Sequence, residues 1–161
     1  MRAGLVARAL FFAALAAIRV SGCRSAESRP AYVPRTRQIT VTMVPLLVKE
    51  SERVYPFLAK EFAPGGVLEG KEVYAFVPSS ITVVAGDTIS FTLVNPEDDV
   101  HRFVLPDLAV TLPGGTITRR TYVTRSPGVY PMVCDMPNHL PMMSGQLVVL
   151  APSAVESTER R

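Results

Sequence analysis

The stretch MVCDMPNHLPMMSG, residues 132–145, puts Cys134, His139 and the adjacent Met142 and Met143 into one short, Pro-bearing segment. Thiolate, imidazole and thioether are soft or borderline donors, suited to copper or zinc rather than to hard, oxygen-seeking cations. The chain has 161 residues and only two Cys and two His, so the grouping stands out. The other histidine, His101, opens the run HRFVL directly after the acidic turn EDDV. A lone buried cysteine serves as an inert apolar residue as readily as a ligand, and Cys134 by itself leaves both readings open. Both histidines, this thiol and two methionines together make a metal site, provided the fold brings them to one place.

The elements that would do so are mostly strands. QITVTMV, residues 38–44, alternates apolar and polar positions and reads as a first strand. Residues 46–63 are ambiguous, an irregular stretch or a short helix beginning near Tyr55-Pro56, and Pro64-Gly65-Gly66 ends them. Thereafter the pattern is β throughout. KEVYAFV (71–77) and SITVVAGD each read as a strand, and TISFTLVN (88–95) sets Ile89, Phe91 and Leu93 on one face. Further strands fit His101–Leu105, Thr116–Thr124, Gly128–Cys134 and Gln146–Leu150, separated by turn signals at Asn95-Pro96, Pro113-Gly114-Gly115 and Pro127-Gly128. Short strands at this spacing predict an antiparallel β-sandwich or barrel with a short irregular or helical insertion near the N-terminus. In such a fold the start of HRFVL and the end of the strand carrying Cys134 can meet at one pole.

The N-terminus has another character. Arg2 and Arg8 precede the apolar run ALFFAALAAI, too short to span a bilayer, and VSGC follows at residues 20–23. This is the pattern of a secretory signal peptide over residues 1–22. Its end resembles the lipobox of bacterial lipoproteins, in which cleavage leaves a lipidated cysteine, here Cys23; Arg19 within the apolar stretch departs from that pattern. Residues 24–36 are polar and Pro-bearing, so 23–36 reads as a lipid-anchored flexible linker, 37–151 as the folded domain and 152–161 as a disordered tail. Without residues 1–22 the chain carries 14 Lys and Arg against 14 Asp and Glu. The overall pI near 9.1 therefore gives no argument for nucleic-acid binding. With Cys23 acylated, Cys134 is left as a single thiol in an oxidising compartment, with no intramolecular disulfide open to it.

Over roughly residues 71–150 the sequence resembles the cupredoxins, the blue (type 1) copper electron-transfer family. The resemblance rests on GDTISFTLVN followed by HRFVLP, then SPGVYPMVC, CDMPNH and MSGQLVVL. The spacing C-x4-H-x3-M, with Cys134, His139 and Met143, is azurin-like. The resemblance implies an all-β, Greek-key antiparallel sandwich and one type 1 copper held by His101, Cys134, His139 and Met143. It implies reversible electron transfer rather than catalysis, since four protein ligands leave no open position. Two imidazoles, a thiolate and a distant thioether are the donor set of such sites, and Pro137 and Pro141 stiffen the loop. Asn138 stands where the azurin-like loop has Gly, and Arg102 where it has an Asn that ties the ligand strands. An Arg102–Asp135 ion pair is the expected replacement. His139 is expected to bring one ring edge near solvent, inside an apolar collar of Leu140, Pro141, Met142 and Leu112-Pro113. Met143 is expected to face the metal and Met142 to point away.

The sequence lacks the further histidines that a copper oxidase or nitrite reductase needs for a second centre. Asn138 occupies the place of the second cysteine of a dinuclear Cys-x3-Cys site. The alternatives are an exported copper-delivery protein holding Cu(I) without cycling, with Met132, Met136 and Met142 as extra soft groups, and a metal-free interaction domain. The expected setting is the periplasm or outer membrane face, as a lipid-anchored monomer serving redox proteins of a membrane electron-transport chain.

Overall fold

The structure is a computed structural model and describes residues 31–152. Among these residues it contains nine strands: β1 (Thr36–Leu47), β2 (Val73–Val77), β3 (Ser80–Val84), β4 (Thr88–Asn95), β5 (His101–Leu105), β6 (Leu108–Leu112), β7 (Thr116–Val123), β8 (Gly128–Val133) and β9 (Ser144–Leu150). They form two facing sheets, ordered β2-β1-β4-β7 and β3-β9-β8-β5-β6. The alternation in β4 does what its pattern dictates, for Ile89, Phe91 and Leu93 are all completely buried. Phe103 joins the layers, its ring meeting Phe76 at 5.6 Å and Phe91 at 5.1 Å, both edge to face.

The sandwich is all-β as expected, but not wholly antiparallel. β1 runs parallel to β4, with Thr36 opposite Thr88 and Thr42 opposite Val94, and β3 runs parallel to β9. Strand alternation carries no information on direction, which is set by long crossovers. β6 lies in a segment that the sequence reading left unassigned. Pro106-Asp107 is a two-residue turn that folds Leu108–Leu112 back on β5. The ambiguous segment contains two short 3-10 turns, Lys49–Arg53 and Pro56–Leu58, and one turn of α-helix, α1 (Ala59–Phe62). Among the described residues no helix is long and apolar enough to cross a membrane.

The two ends of the sandwich differ. At one, Asp87 is fully buried and accepts hydrogen bonds from Tyr32 Oη, the Arg35 N–H (2.8 Å) and Arg37 Nε (2.9 Å). The Ala85 N–H bonds to the Leu150 carbonyl at this same end. Among the described residues, Tyr32, Arg35 and Arg37 thus hold the segment ahead of β4 to the sandwich, because a buried carboxylate needs partners. The opposite end holds the end of β4, the start of β5, the end of β8 and the start of β9. Asn95 buttons it together, donating through Nδ2 to the carbonyls of Asp99 (2.7 Å) and Leu112 (3.1 Å). The expected signal peptide of residues 1–22, Cys23, and most of the expected linker and tail lie outside the described residues.

Candidate metal centre

Strand ends at this second pole deliver the donors. His101 is the first residue of β5, and Cys134 follows the last residue of β8. The connection from Cys134 to β9 is a closed loop: the Cys134 N–H donates to the Met143 carbonyl at 3.0 Å. Within it the N–H groups of His139 and Leu140 donate to the Met136 carbonyl, and those of Met142 and Met143 to the His139 carbonyl. These tight turns bring His139 back over Cys134. Gly145 lets the loop enter β9, because a Cβ there would lie 2.4 Å from the Ser79 carbonyl oxygen and 2.7 Å from Met132 Cε.

One donor atom from each of His101, Cys134 and His139 lies within 4.8 Å of the other two, and all three residues are at most 1% exposed. Cys134 Sγ is 3.5 Å from His139 Nδ1. That separation suits a sulfur and a nitrogen each about 2.0–2.3 Å from a shared first-row metal ion. Neither ring nitrogen of His101 has a hydrogen-bond partner among the described residues. An orphaned, buried imidazole is costly unless something takes its lone pair, so the donor set fits a soft metal ion such as copper. Met143 is also completely buried, whereas Met142 is 38% exposed. Met132 is absorbed into the core.

The electrostatics favour uncharged imidazoles. Burial, and secondarily the neighbouring His139, push His101 down to about 4, against an opposing pull from Asp99. Burial also lowers His139, again opposed by Asp99. Neutral rings keep a lone pair for a metal without first shedding a proton.

The expected bracing of the two ligand strands is present. Arg102 Nη1 donates to Asp135 Oδ2 at 2.6 Å, and the Arg102 backbone N–H points at Cys134 Sγ, 3.4 Å away. The sulfur position is thus steadied from the neighbouring strand. The expectation for the His139 edge fails. His139 is 1% exposed, its Nε2 facing the side-chain amide of Asn138 at 3.0 Å. Leu112 is fully buried and takes no part in a surface collar; Leu140 and Met142 beside His139, and Val100 beside His101, are half-exposed. The cause is the segment leading into β2: the Glu72 N–H bonds to the Asn138 carbonyl (3.1 Å) and Lys71 Nζ to the Pro137 carbonyl (2.9 Å), pulling the loop inward.

Sequence reading also passed over Tyr74. Its ring packs edge-on against His101 (4.5 Å) and tilted against His139 (4.8 Å), making an aromatic wall for both. The hydroxyl donates to Asp99 and lies 3.4 Å from Glu72. Burial and the bond to Asp99 raise its pKa far above the ordinary phenol range, so it stays a donor. The available signal was a tyrosine alternating with Phe76, since an inward tyrosine needs a partner for its hydroxyl.

Comparison with known proteins agrees with this geometry: residues 69–149 match the family described as the cupredoxin-like domain. The chain belongs to that family. Solved structures of similar fold include the copper nitrite reductase from Nitrosomonas europaea, at 18% identity and a TM-score of 0.51. That match covers 72% of this chain and 42% of the reductase. A multicopper oxidase, mgLAC, matches at 16% identity and a TM-score of 0.51, over 72% of this chain and 39% of the oxidase. The cupredoxin chain thus spans less than half the length of either, and at these identities the likeness is one of fold. No curated protein matches by sequence.

Proposed function

We propose that this cupredoxin carries single electrons at one type 1 copper held by His101, Cys134, His139 and Met143. The observation that carries the reading is the convergence of two buried imidazoles and one buried thiol within 4.8 Å, with both His101 nitrogens unpartnered. A copper ion held there supplies reversible one-electron chemistry between Cu(I) and Cu(II). The protein's part is to keep the donors fixed. Tyr74 walls both rings, the Arg102–Asp135 pair and the Arg102 N–H hold the thiolate strand, and the turns from Met136 to Met143 keep the loop closed. Donors that hardly move between oxidation states minimise reorganisation when an electron passes. With four protein donors there is no open position for a substrate, so the domain is not an enzyme.

In the proposed setting Cys23 is lipidated and the exported, monomeric domain serves redox proteins of a membrane electron-transport chain. β1 runs from the Asp87 end to the metal end, roughly 35 Å at the usual strand rise. A tether entering at Tyr32 would therefore present the metal end away from the anchor. The alternative, a delivery protein holding Cu(I) without cycling, is separated by colour and voltammetry. Copper-loaded, oxidised protein should show an intense visible thiolate-to-copper band and a reversible potential. A colourless protein that binds Cu(I) and resists oxidation would overturn the carrier reading.

A further inference from the structure

His139 presents a bonding problem that the copper reading alone does not solve. Both its nitrogens are engaged, Nδ1 towards Cys134 Sγ at 3.5 Å and Nε2 towards the Asn138 amide nitrogen at 3.0 Å, and the residue is 1% exposed. With the amide nitrogen facing it, Nε2 accepts when the neutral ring carries its proton on Nδ1. A metal at Nδ1 requires the opposite tautomer. Binding releases the thiol proton to solvent, while the imidazole keeps its single proton, now on Nε2. That N–H then needs an acceptor in a place sealed from water. A half-turn of the Asn138 amide puts Oδ1 where Nδ2 stood, so the same side chain serves both states. Glycine, leucine or a carboxylate could not serve both. The Asn138 backbone is meanwhile fixed by the Glu72 N–H on its carbonyl at 3.1 Å.

We propose that Asn138 is a positioning residue that caps His139 Nε2 through both tautomers, holding the ring's Nδ1 on the metal and closing its outer edge to water. This rests on the proposed metal at Nδ1 and assigns a role to a residue outside the donor set. It also means that electrons leaving by this ring cross the Asn138 amide rather than a bare imidazole edge.

The test is nitrogen-15 NMR of the full domain loaded with Zn(II), a diamagnetic probe. In the wild type, the His139 nitrogen shifts should place the metal on Nδ1, and the Nε2–H should exchange slowly with water. Asn138→Leu should exchange about tenfold faster or more, the factor implied by losing one net hydrogen bond, and bind Zn(II) about ten- to a hundredfold more weakly. Asn138→Asp keeps an acceptor and should restore slow exchange when loaded. In its metal-free form it should move the ring to the Nε2–H tautomer, which a merely structural role would not do. If Asn138→Leu does not fold, the wild-type exchange and the Asn138→Asp tautomer decide. Failure of Zn(II) to reach His139 Nδ1 would overturn the metal reading itself. Zn(II) on Nδ1 with a freely exchanging wild-type Nε2–H, or an Asn138→Asp tautomer like the wild type's, would overturn the cap alone.

Discussion

Removing the Arg102 side chain should reveal how the ligand strands are braced. The guanidinium and the Asp135 carboxylate meet at 2.6 Å, but each side chain is 37% exposed. Solvent screening therefore places their coupling at about 0.5–1 kcal/mol, far below the several kcal/mol of a fully buried pair. The two single deletions should nevertheless differ. Asp135 Oδ1 is buried without a partner among the described residues, so Arg102→Ala leaves that oxygen unpaired and Oδ2 with water alone, at about 1–2 kcal/mol. Asp135→Ala removes that orphan along with the pair and should cost about 0.5–1 kcal/mol. Urea unfolding of the two single variants and the double variant, with and without copper, measures each value. Arg102→Ala keeps the backbone N–H that faces the sulfur at 3.4 Å but removes the side-chain brace on the strand bearing it, so the copper potential and visible band should also shift. A coupling of zero in the double-mutant cycle, with spectrum and potential unmoved, would refute the bracing argument.

Met143→Gln, an oxygen donor at a fully buried position, should lower the potential and alter the visible spectrum, whereas Met142→Gln, 38% exposed, should leave the metal unchanged; the reverse would shift the loop register by one. Metal-free protein should lose stability in acid. His101, depressed to about 4, contributes in full above the unfolded value near 6.5, and its contribution is lost as pH falls from there to 4, on the order of 3 kcal/mol. Burial pushes Asp87 up, but its bonds to Tyr32, Arg35 and Arg37 prevail and bring it down to about 2, adding a second loss between about 4 and 2. A urea midpoint that stays flat from pH 7 to pH 4 would contradict the first loss. Cys23→Ser should release the protein from membrane fractions, since two or more acyl chains are what hold a lipoprotein stably; continued sedimentation with membranes would rule out lipidation as the anchor.

The candidate centre was readable in the sequence to the extent that it is local. Cys134, His139 and Met143 sit close together because tight turns deliver them, and rare soft donors at such spacing stand out. His101 needed the strand pattern as well, and its meeting with Cys134 follows from strand ends sharing a pole. Inward positions such as Phe91 and Leu93 follow from alternation alone. What escaped was non-local. The parallel β1–β4 pairing leaves no trace in either strand's pattern, and Tyr74 looks like any alternating residue until the partners of its ring and hydroxyl are seen. The burial of His139 arises from Lys71 and Glu72, more than sixty residues away in sequence. Its consequence, an imidazole edge covered by Asn138, reverses the expected open docking edge.

X-ray absorption of the copper-loaded domain, oxidised and reduced, tests the central claim most directly. The account predicts an inner shell of one sulfur and two imidazole nitrogens that changes little between the two oxidation states, with the sulfur lost in Cys134→Ser. An inner shell of oxygen and nitrogen alone, or one that rebuilds on reduction, would contradict it.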